Sequence, residues 1–342
     1  MKYINTFKTH SSYEEKLNGG VDISLPNISY CKDVKDIHYN PYNTVEFYVG
    51  EITGTTPQTV SIYTDDSTSI DVTVSEGNKW YTCLLPKDKG LSKIDGGYTL
   101  NKVKIVVKAN INTHDSSITP IIISSAIEAS LKGSNTSNVT DMYSMFNGCS
   151  KLTSLDLSGF DTSNVNNMMG MFESCIKLTS LDLSNFNTSN VISMSSMFSN
   201  CSSLTSLDLR NFNTSNVTYM TYMFESCSGL TSLDLSNFNT SNVTDMGSMF
   251  YGCKGLTSLT LSNFKTSKVT DMGAMFRYCT NLKTLDLSGW VIIGDETDTS
   301  CMFCDCDSLK TIIMKDCSSE TVGKIQNQLT ADGITGFTIV TE

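Results

Sequence analysis

The sequence is short of charge, and the charge it has is mostly negative. Charged residues make up 17% of the 342 residues, with 24 Lys and Arg against 35 Asp and Glu. Binding to nucleic acid depends largely on neutralising phosphates with basic side chains. Because the net charge is −11 and no basic cluster is present, nucleic acid is not an expected partner.

Long apolar runs are also missing. No stretch of 18 apolar residues occurs, so we expect no membrane insertion. The first ten residues, MKYINTFKTH, lack the apolar core and small-residue cleavage site of a secretory signal. Export through such a signal is therefore not expected from this start.

Residue patterns typical of catalysis are scarce. The three histidines, His10, His38 and His114, are far apart and all precede the region of repeats described below. The nucleophile-elbow, P-loop and zinc-protease motifs are not found. We therefore expect a protein that is not an enzyme and needs no cofactor.

What the sequence has in abundance is repetition. Met-Phe pairs recur every 26 residues from Met145-Phe146 onward, until one residue is inserted before Met302-Phe303. A typical unit, residues 230–255, reads LTSLDLSNFNTSNVTDMGSMFYGCKG. Each unit is the same structural element, used again.

The pattern inside a unit predicts a strand, a turn and a short helix. Leu233 and Leu235 alternate with polar residues, as in a half-buried strand. The segment Thr240-Ser241-Asn242 offers candidate N-caps. After it, apolar residues at helical spacing form one stripe: Val243, Met246, Met249, Phe250 and Cys253.

Stacking successive units would join these apolar stripes into one core, which predicts an α/β leucine-rich-repeat solenoid of about nine rungs. The repeated pattern LxxLDLSxFxTSNVTxMxxMFxxC resembles the BspA-like leucine-rich repeat, the 26-residue repeat of bacterial surface proteins. That resemblance covers a little over half of the chain. It implies a solenoid fold and a display role, not an activity.

The composition changes along the chain and suggests four segments. Residues 124–316 are the predicted solenoid, preceded over 44–123 by short β-rich segments that predict a small β-sandwich-like domain. Residues 317–342 predict a capping rung, with a helical stripe followed by a strand in which Ile334, Phe337 and Ile339 repeat Leu309, Ile312 and Met314.

Residues 1–43 carry no regular apolar stripe and are predicted to be an extended anchoring segment. The segment contains Leu25-Pro26-Asn27, Ser29-Tyr30-Cys31 and His38-Tyr39-Asn40-Pro41. Through these residues it is similar to the N-terminal segment of some virion proteins from crAss-like phages of gut Bacteroidales. The resemblance implies docking on a particle, through contacts with other virion proteins. The candidate anchoring residues are Leu25, Pro26, Asn27, Tyr30, His38, Tyr39, Asn40, Pro41 and Tyr42.

Six of the twelve cysteines recur once per 26 residues, which predicts a buried thiol column rather than disulfide bridges. A second group, Cys301, Cys304, Cys306 and Cys317, offers the four thiolates of a tetrahedral zinc site. The favoured alternative is that Cys306 is the column cysteine displaced by the one-residue insertion. No metal is therefore expected, and these four cysteines are kept as candidates.

Strand alternation also predicts a polar row on the concave face of the solenoid. Two interpretations stay open: a strip that binds Ca²⁺ or a cationic ligand, and, favoured, a solvated face without a ligand. The candidate binding residues are Ser154, Asp156, Ser180, Asp182, Ser206, Asp208, Arg210, Ser232, Asp234 and Asp286.

Together these patterns favour a non-enzymatic surface-display protein. Our leading hypothesis is a phage virion component, a fibre or decoration protein that binds a host surface protein or glycan through the solenoid. A bacterial cell-surface adhesin and an intracellular interaction scaffold are the alternatives. An oligomer is compatible with each of them.

Removing residues 1–43 should leave the repeats folded but abolish attachment to a larger assembly, because this segment contributes no rung and no core stripe. Circular dichroism and a particle-binding assay on the truncated chain measure the two effects. Loss of folding together with binding would instead make the segment a structural cap.

Overall fold

The computed structural model describes residues 44–49, 51–52, 57–64, 68–86, 89, 91–96, 100–101, 103–108, 126–132, 134–292 and 296–342. Its chain divides into two compact units. The first comprises Met1–Val139 with Cys149–Asp161, and the second comprises Thr140–Gly148 with Thr162–Glu342. Within the described ranges, no helix has the length and apolar character needed to cross a bilayer.

The described part of the first unit is built from ten strands. They are β1 (Thr44–Val49), β2 (Glu51–Ile52), β3 (Gln58–Thr64), β4 (Ser69–Val74), β5 (Lys79–Leu84), β6 (Leu91–Gly96), β7 (Leu100–Asn101), β8 (Val103–Lys108), β9 (Ala126–Ser130) and β10 (Ser154–Asp156). They form a five-stranded sheet in the order β10-β9-β8-β1-β5, a three-stranded sheet β4-β3-β6 and the pair β2-β7.

Alternation of buried and exposed residues explains these strands. In β4 every second residue, Ile70, Val72 and Val74, is buried, as on a sheet with one face in the core. Phe47 and Tyr81 stack in that core at 5.5 Å between ring centroids. Strand β9, the first rung position, pairs in parallel with β8, so the five-stranded sheet runs from the β-rich segment into the repeats.

The second unit confirms the repeat solenoid. Its strands are β11 (Ser258–Thr260), β12 (Thr284–Asp286), β13 (Thr311–Ile313) and β14 (Thr338–Val340), and each pairs in parallel with the next. Neighbours in register are one repeat apart: Leu259 lies opposite Leu285, and Leu285 opposite Ile312. The one-residue insertion therefore lies outside the strands, whose equivalent residues remain paired.

The prediction of a short helix in each 26-residue unit is wrong. Between residues 134 and 292 the described chain contains no helix, and a run of tight turns takes its place. In each rung two residues four apart adopt positive φ, such as Ser196 (φ 55°) with Asn200 (φ 58°), and Ser248 (φ 54°) with Gly252 (φ 67°). A left-handed residue interrupts an α-helix, so two of them per rung exclude it.

The turns redirect the backbone hydrogen bonds from within the rung to the next rung. The N–H groups of Met168, Gly170 and Phe172 donate to carbonyls of the following rung at 2.8–3.0 Å. The intervening N–H groups of Met171 and Glu173 donate three residues back within their own rung. The apolar spacing that resembles a helix is therefore produced by consecutive turns that bury the same residues.

This turn ladder holds identical side chains in columns. Seven phenylalanines stack with ring centroids 5.6–5.9 Å apart, from Phe146 to Phe303. Buried polar groups also link the rungs: Thr214 Oγ1 accepts the Asn239 N–H and donates to the Asn239 carbonyl in the next rung. The core is therefore a stack of columns, each tied to its neighbouring rung.

The cysteine column lies in this core, as the 26-residue spacing predicts. Each thiol is free and buried, and those after Cys149 donate to the carbonyl of a phenylalanine in the preceding rung, as Cys201 Sγ does to Phe172 O at 3.1 Å. Cys306 belongs to the same column, because its thiol donates to the Phe276 carbonyl at 2.9 Å. The thiols thus connect rungs without forming bridges.

The last rung differs from the rest. Helix α1 (Ser319–Ala331) begins at the N-cap Ser318, whose side chain accepts the Thr321 N–H, and strand β14 follows it. The predicted register of this strand is wrong by two residues, since Ile312 lies opposite Ile339 and not opposite Phe337. A helix rises only about 1.5 Å per residue. The chain between the strands therefore follows a different path in this rung from that in the rungs built from turns.

Thiol titration tests the column. Cys149, Cys175, Cys201, Cys227, Cys253 and Cys279 should not react in the native protein, because burial keeps reagents out and raises the thiol pKa, to about 12 in Cys201. An aromatic disulfide reagent, used with and without guanidinium, measures this. Half-buried Cys317 is the internal control that should react first, and native reactivity of all six thiols would contradict the column.

Candidate functional site

The residues of the predicted polar row lie on outward positions of the strand segments, Ser154 and Asp156 in the first unit and the others in the second. Alternate leucines point inward: Leu181, Leu207 and Leu259 are at most 8% exposed. Ser154, Ser180, Ser206, Ser232, Asp182, Asp208 and Asp234 are exposed, whereas Asp156 and Asp286 are half-buried.

The strand segments of this face are not all paired as strands in the second unit. Residues 180–182, 206–208 and 232–234 form no strand, although the turn ladder beside them is continuous. Phe238 and Phe264, which follow the strand segments, stack at 6.4 Å, compared with 5.6–5.9 Å in the phenylalanine column of the turn ladder. Unbroken rung-to-rung hydrogen bonds in this stretch lie on the turn side.

The aspartates of the row have a structural role, because each accepts a backbone hydrogen bond in a turn. Oδ1 of each accepts the backbone N–H two residues later, at 2.9 Å from Ser184 to Asp182 and at 3.0 Å from Ser236 to Asp234. Asp and Asn favour this arrangement because their short side chains reach their own backbone. A column of aspartates is therefore accounted for by the turns that end the strand segments.

The same arrangement occurs on the turn side, where the sequence pattern suggested helix caps. Asp245, Asp271 and Asp298 lie next to one another in successive rungs, and each accepts an N–H two residues later. Burial, followed by the neighbouring carboxylates, raises the pKa of Asp271. Rows of acidic residues on both faces thus close turns.

One place on the strand face departs from this regularity. A cleft of about 340 Å³ lies between two rungs that share no strand hydrogen bonds there. It brings together three of the predicted residues, Asp182, Asp208 and Arg210. The remaining lining residues, which the sequence did not single out, are Leu181, Leu183, Ser184 and Asn211.

An ion pair shapes the cleft. Arg210 binds Asp208 through Nε at 3.0 Å and through Nη2 at 2.6 Å, and its backbone N–H reaches the same carboxylate at 3.1 Å. These hydrogen bonds from Arg210 lower the pKa of Asp208 to about 2. Both side chains are mostly exposed, at 76% for Arg210 and 59% for Asp208, so the pair contributes little to stability and stays available to a ligand.

Asn211 holds the backbone of the neighbouring rung. Its Nδ2 donates to the carbonyls of Leu183 at 2.9 Å, Ser184 at 3.3 Å and Phe186 at 2.9 Å. Asn237 and Asn263 repeat most of this contact pattern in later rungs. Asn211 has the same position in the repeat as Asn237 and Asn263. That position could have identified it as a rung-to-rung link, but not as a residue of the cleft.

The four candidate zinc ligands do not converge. Cys301 and Cys304 are joined by a disulfide. The Cys306 thiol lies in the buried column, and the Cys317 thiol donates to the Leu287 carbonyl at 3.4 Å. The four-thiolate site is therefore not formed, because two of its members are oriented by separate carbonyl contacts.

Other predicted residues lie outside the described residues. This applies to the three histidines and to the anchoring segment, so the anchoring role of Leu25 to Tyr42 stays a prediction.

Ser154 and Asp156 belong to the first unit, where Asp156 accepts the Ser158 N–H at 3.0 Å and a hydrogen bond from Ser130 Oγ at 3.3 Å. Asp286 accepts both the N–H and the hydroxyl of Ser288.

The fold and this surface define a solenoid repeat protein with a regular polar row on its strand segments. A family model described as "Mycoplasma protein of unknown function, DUF285" matches residues 121–232 and 219–330. The chain belongs to this family, and the repeats it matches are those that resemble the BspA-like repeat. No curated protein matches the chain.

The turn-closing role of the aspartates can be tested at Asp286. Asp286→Ala should lower the free energy of unfolding by about 1 kcal/mol, because the part-buried Ser288 N–H loses its acceptor. Asp286→Asn keeps an acceptor oxygen and should cost less, and exposed Asp307→Ala is the control. Urea denaturation gives the values, and equal losses for Ala and Asn at 286 would mean that the charge, not the hydrogen bond, matters.

Proposed function

We propose that this chain is a non-enzymatic display protein that binds an extended glycan in the cleft at Asp182, Asp208 and Arg210. The observation that carries the proposal is the exposed ion pair at a gap between two rungs. Carboxylate oxygens accept hydrogen bonds from hydroxyl groups, and a guanidinium donates them. The buried leucines Leu181 and Leu183 lie beneath these groups and line the cleft.

The repeat favours an extended ligand over a small one. Similar polar groups recur once per rung along this face. The cleft is open and shares its walls with the exposed row of serines and aspartates. A chain of repeating hydroxyl-bearing units can follow such a row, whereas a small metabolite needs a more enclosed pocket.

A Ca²⁺ strip on this face fits less well. Arg210 places a positive charge 2.6 Å from a carboxylate oxygen of Asp208, where it competes with a cation. The Oδ1 atoms of the aspartates are engaged by backbone N–H groups. Ca²⁺ takes six to eight oxygen ligands, and these engaged, row-like carboxylates do not surround one point.

A phage virion is the setting we propose for this display, with residues 1–43 contacting other virion proteins and the solenoid contacting the host surface. What supports it is the resemblance of the N-terminal segment and the surface-display type of the repeat. A bacterial cell-surface adhesin would use the same cleft. An intracellular scaffold would bind a partner protein there instead.

An array of bacterial cell-wall and capsular polysaccharides tests the cleft. The combined variant Asp182→Asn, Asp208→Asn, Arg210→Gln should weaken binding at least about tenfold, since it removes the charged hydrogen bonds. Its melting temperature should stay close to that of the unaltered chain, because the amides keep the turn-closing oxygens and exposed charges add little stability.

The matched control changes two exposed charges elsewhere, Asp307→Asn and Lys254→Gln. It should bind as the unaltered chain does. Equal binding by the cleft variant would move the ligand to another surface. If the unaltered chain binds no polysaccharide, the glycan proposal is wrong and the protein-scaffold alternative is favoured.

A further inference from the structure

Three metal-ligating side chains meet near the C-terminal end of the turn ladder. Ligand atoms of Cys301, Cys304 and Asp332 all lie within 4.8 Å of one another, and all three residues are half-buried. Cys301 and Cys304 form a disulfide, and Cys304 Sγ lies 3.4 Å from Asp332 Oδ1. The cluster is separate from the cleft on the strand face.

Neither cysteine is needed by the packing of the repeat. Cys301 occupies the first positive-φ position of its turn, where earlier rungs have Ser248 and Ala274. Cys304 precedes the column cysteine by two residues, where the preceding rungs have Tyr251 and Arg277. The column position itself is filled by Cys306. The two thiols are therefore additions to the repeat.

The disulfide also adds little to the fold. Cys301 and Cys304 are three residues apart in one turn, and the Cys304 N–H already donates to the Cys301 carbonyl at 3.2 Å. The stabilisation expected from a disulfide grows with the length of the loop it closes. A bond across one existing turn leaves the rest of the chain unconstrained, so it can be reduced without unfolding the solenoid.

Asp332 is held in place by its surroundings. It is the C-cap of α1, and its Oδ2 accepts the Phe303 N–H at 2.8 Å. Its Oδ1 accepts from Gln328 Nε2 at 2.9 Å and faces Cys304. A carboxylate oxygen has two lone pairs, so Oδ1 can still bind a cation. Outer hydrogen bonds of this kind orient and strengthen a metal ligand.

The distances suit a tetrahedral ion of the zinc type. With Zn–S of about 2.3 Å and Zn–O of about 2.0 Å, a sulfur and an oxygen ligand lie about 3.5 Å apart, and two sulfurs about 3.8 Å apart. The Cys304 to Asp332 distance of 3.4 Å is already close to the first value. Breaking the S–S bond lets the sulfurs separate toward the second value, since they are then no longer bonded.

We propose that Cys301, Cys304 and Asp332 bind one Zn²⁺-type cation when the disulfide is reduced, with water as the fourth ligand. A dithiol reductant supplies two electrons and two protons, the S–S bond breaks, and the reductant becomes a disulfide. The cation then displaces the two thiol protons to solvent. Reoxidation by a small-molecule disulfide takes two electrons from the thiolates, reforms the S–S bond and releases the ion. The two small-molecule thiolates produced take up two protons from solvent.

Other thiols do not compete for this ion in the described part of the chain. The column thiols are buried, free and spaced one per rung. Cys317 lies with its thiol against the Leu287 carbonyl and belongs to no group of three ligands among the described residues. The soft thiolate pair favours Zn²⁺ over Ca²⁺ or Mg²⁺.

Calorimetric titration of the full chain with Zn²⁺ tests the site, after phosphine reduction and removal of the reductant without air. We expect one ion bound per reduced chain, and binding weaker by at least about tenfold in the disulfide form and in Cys301→Ser and Cys304→Ser. Titration with Co²⁺ should give thiolate-to-metal charge-transfer absorption that both serine variants lose.

Asp332→Asn keeps an oxygen for the Phe303 N–H and should weaken Zn²⁺ binding while retaining the circular dichroism spectrum. The double variant Cys31→Ser, Cys317→Ser is the matched thiol control and should bind as the unaltered chain does. The proposal is overturned if the reduced chain binds no ion, or if either Cys301→Ser or Cys304→Ser binds it with unchanged affinity.

Discussion

The rung-to-rung hydrogen bonds of the turn side are the constraint on which the solenoid depends. A buried backbone N–H or C=O group needs a hydrogen-bond partner, and water cannot supply one in the interior of a stacked repeat. Two positive-φ residues per rung, such as Ser196 and Asn200, let alternate N–H groups point to the next rung. The remaining N–H groups close turns within the rung, so the whole segment is satisfied without a helix.

Once the turn ladder sets the spacing, equivalent side chains have to stack. The phenylalanine rings follow it at 5.6–5.9 Å, and the threonine, asparagine and cysteine columns use their polar atoms to tie neighbouring rungs. The ladder ends where no equivalent rung follows. There the Asp332 carboxylate accepts the Phe303 N–H. The equivalent N–H of the preceding rung, that of Phe276, donates to the Met302 carbonyl. The dithiol–carboxylate cluster lies at this end.

In a repeat this regular, a recurring residue serves the repeat, and an exception needs an explanation of its own. The aspartates on both faces recur because they close turns. Arg210 is different, since the same position holds Ser184 and Ser236 in the flanking rungs. Its pairing with Asp208 turns an ordinary gap between rungs into a charged cleft. Cys301 and Cys304 are exceptions of the same kind.

Sequence periodicity by itself determined the 26-residue rung, the inward leucines, the buried cysteine column and the outward row that contains Asp182, Asp208 and Arg210. These follow from which residues are apolar and how far apart they are. Only the tertiary structure decided that Val243 to Cys253 form turns, because a 3-3-1-3 apolar spacing fits a helix and a turn ladder equally well. It also decided the register of β14, the cleft and the meeting of Asp332 with Cys301 and Cys304. Those features depend on hydrogen bonds between rungs, which the spacing of residues along one rung does not contain.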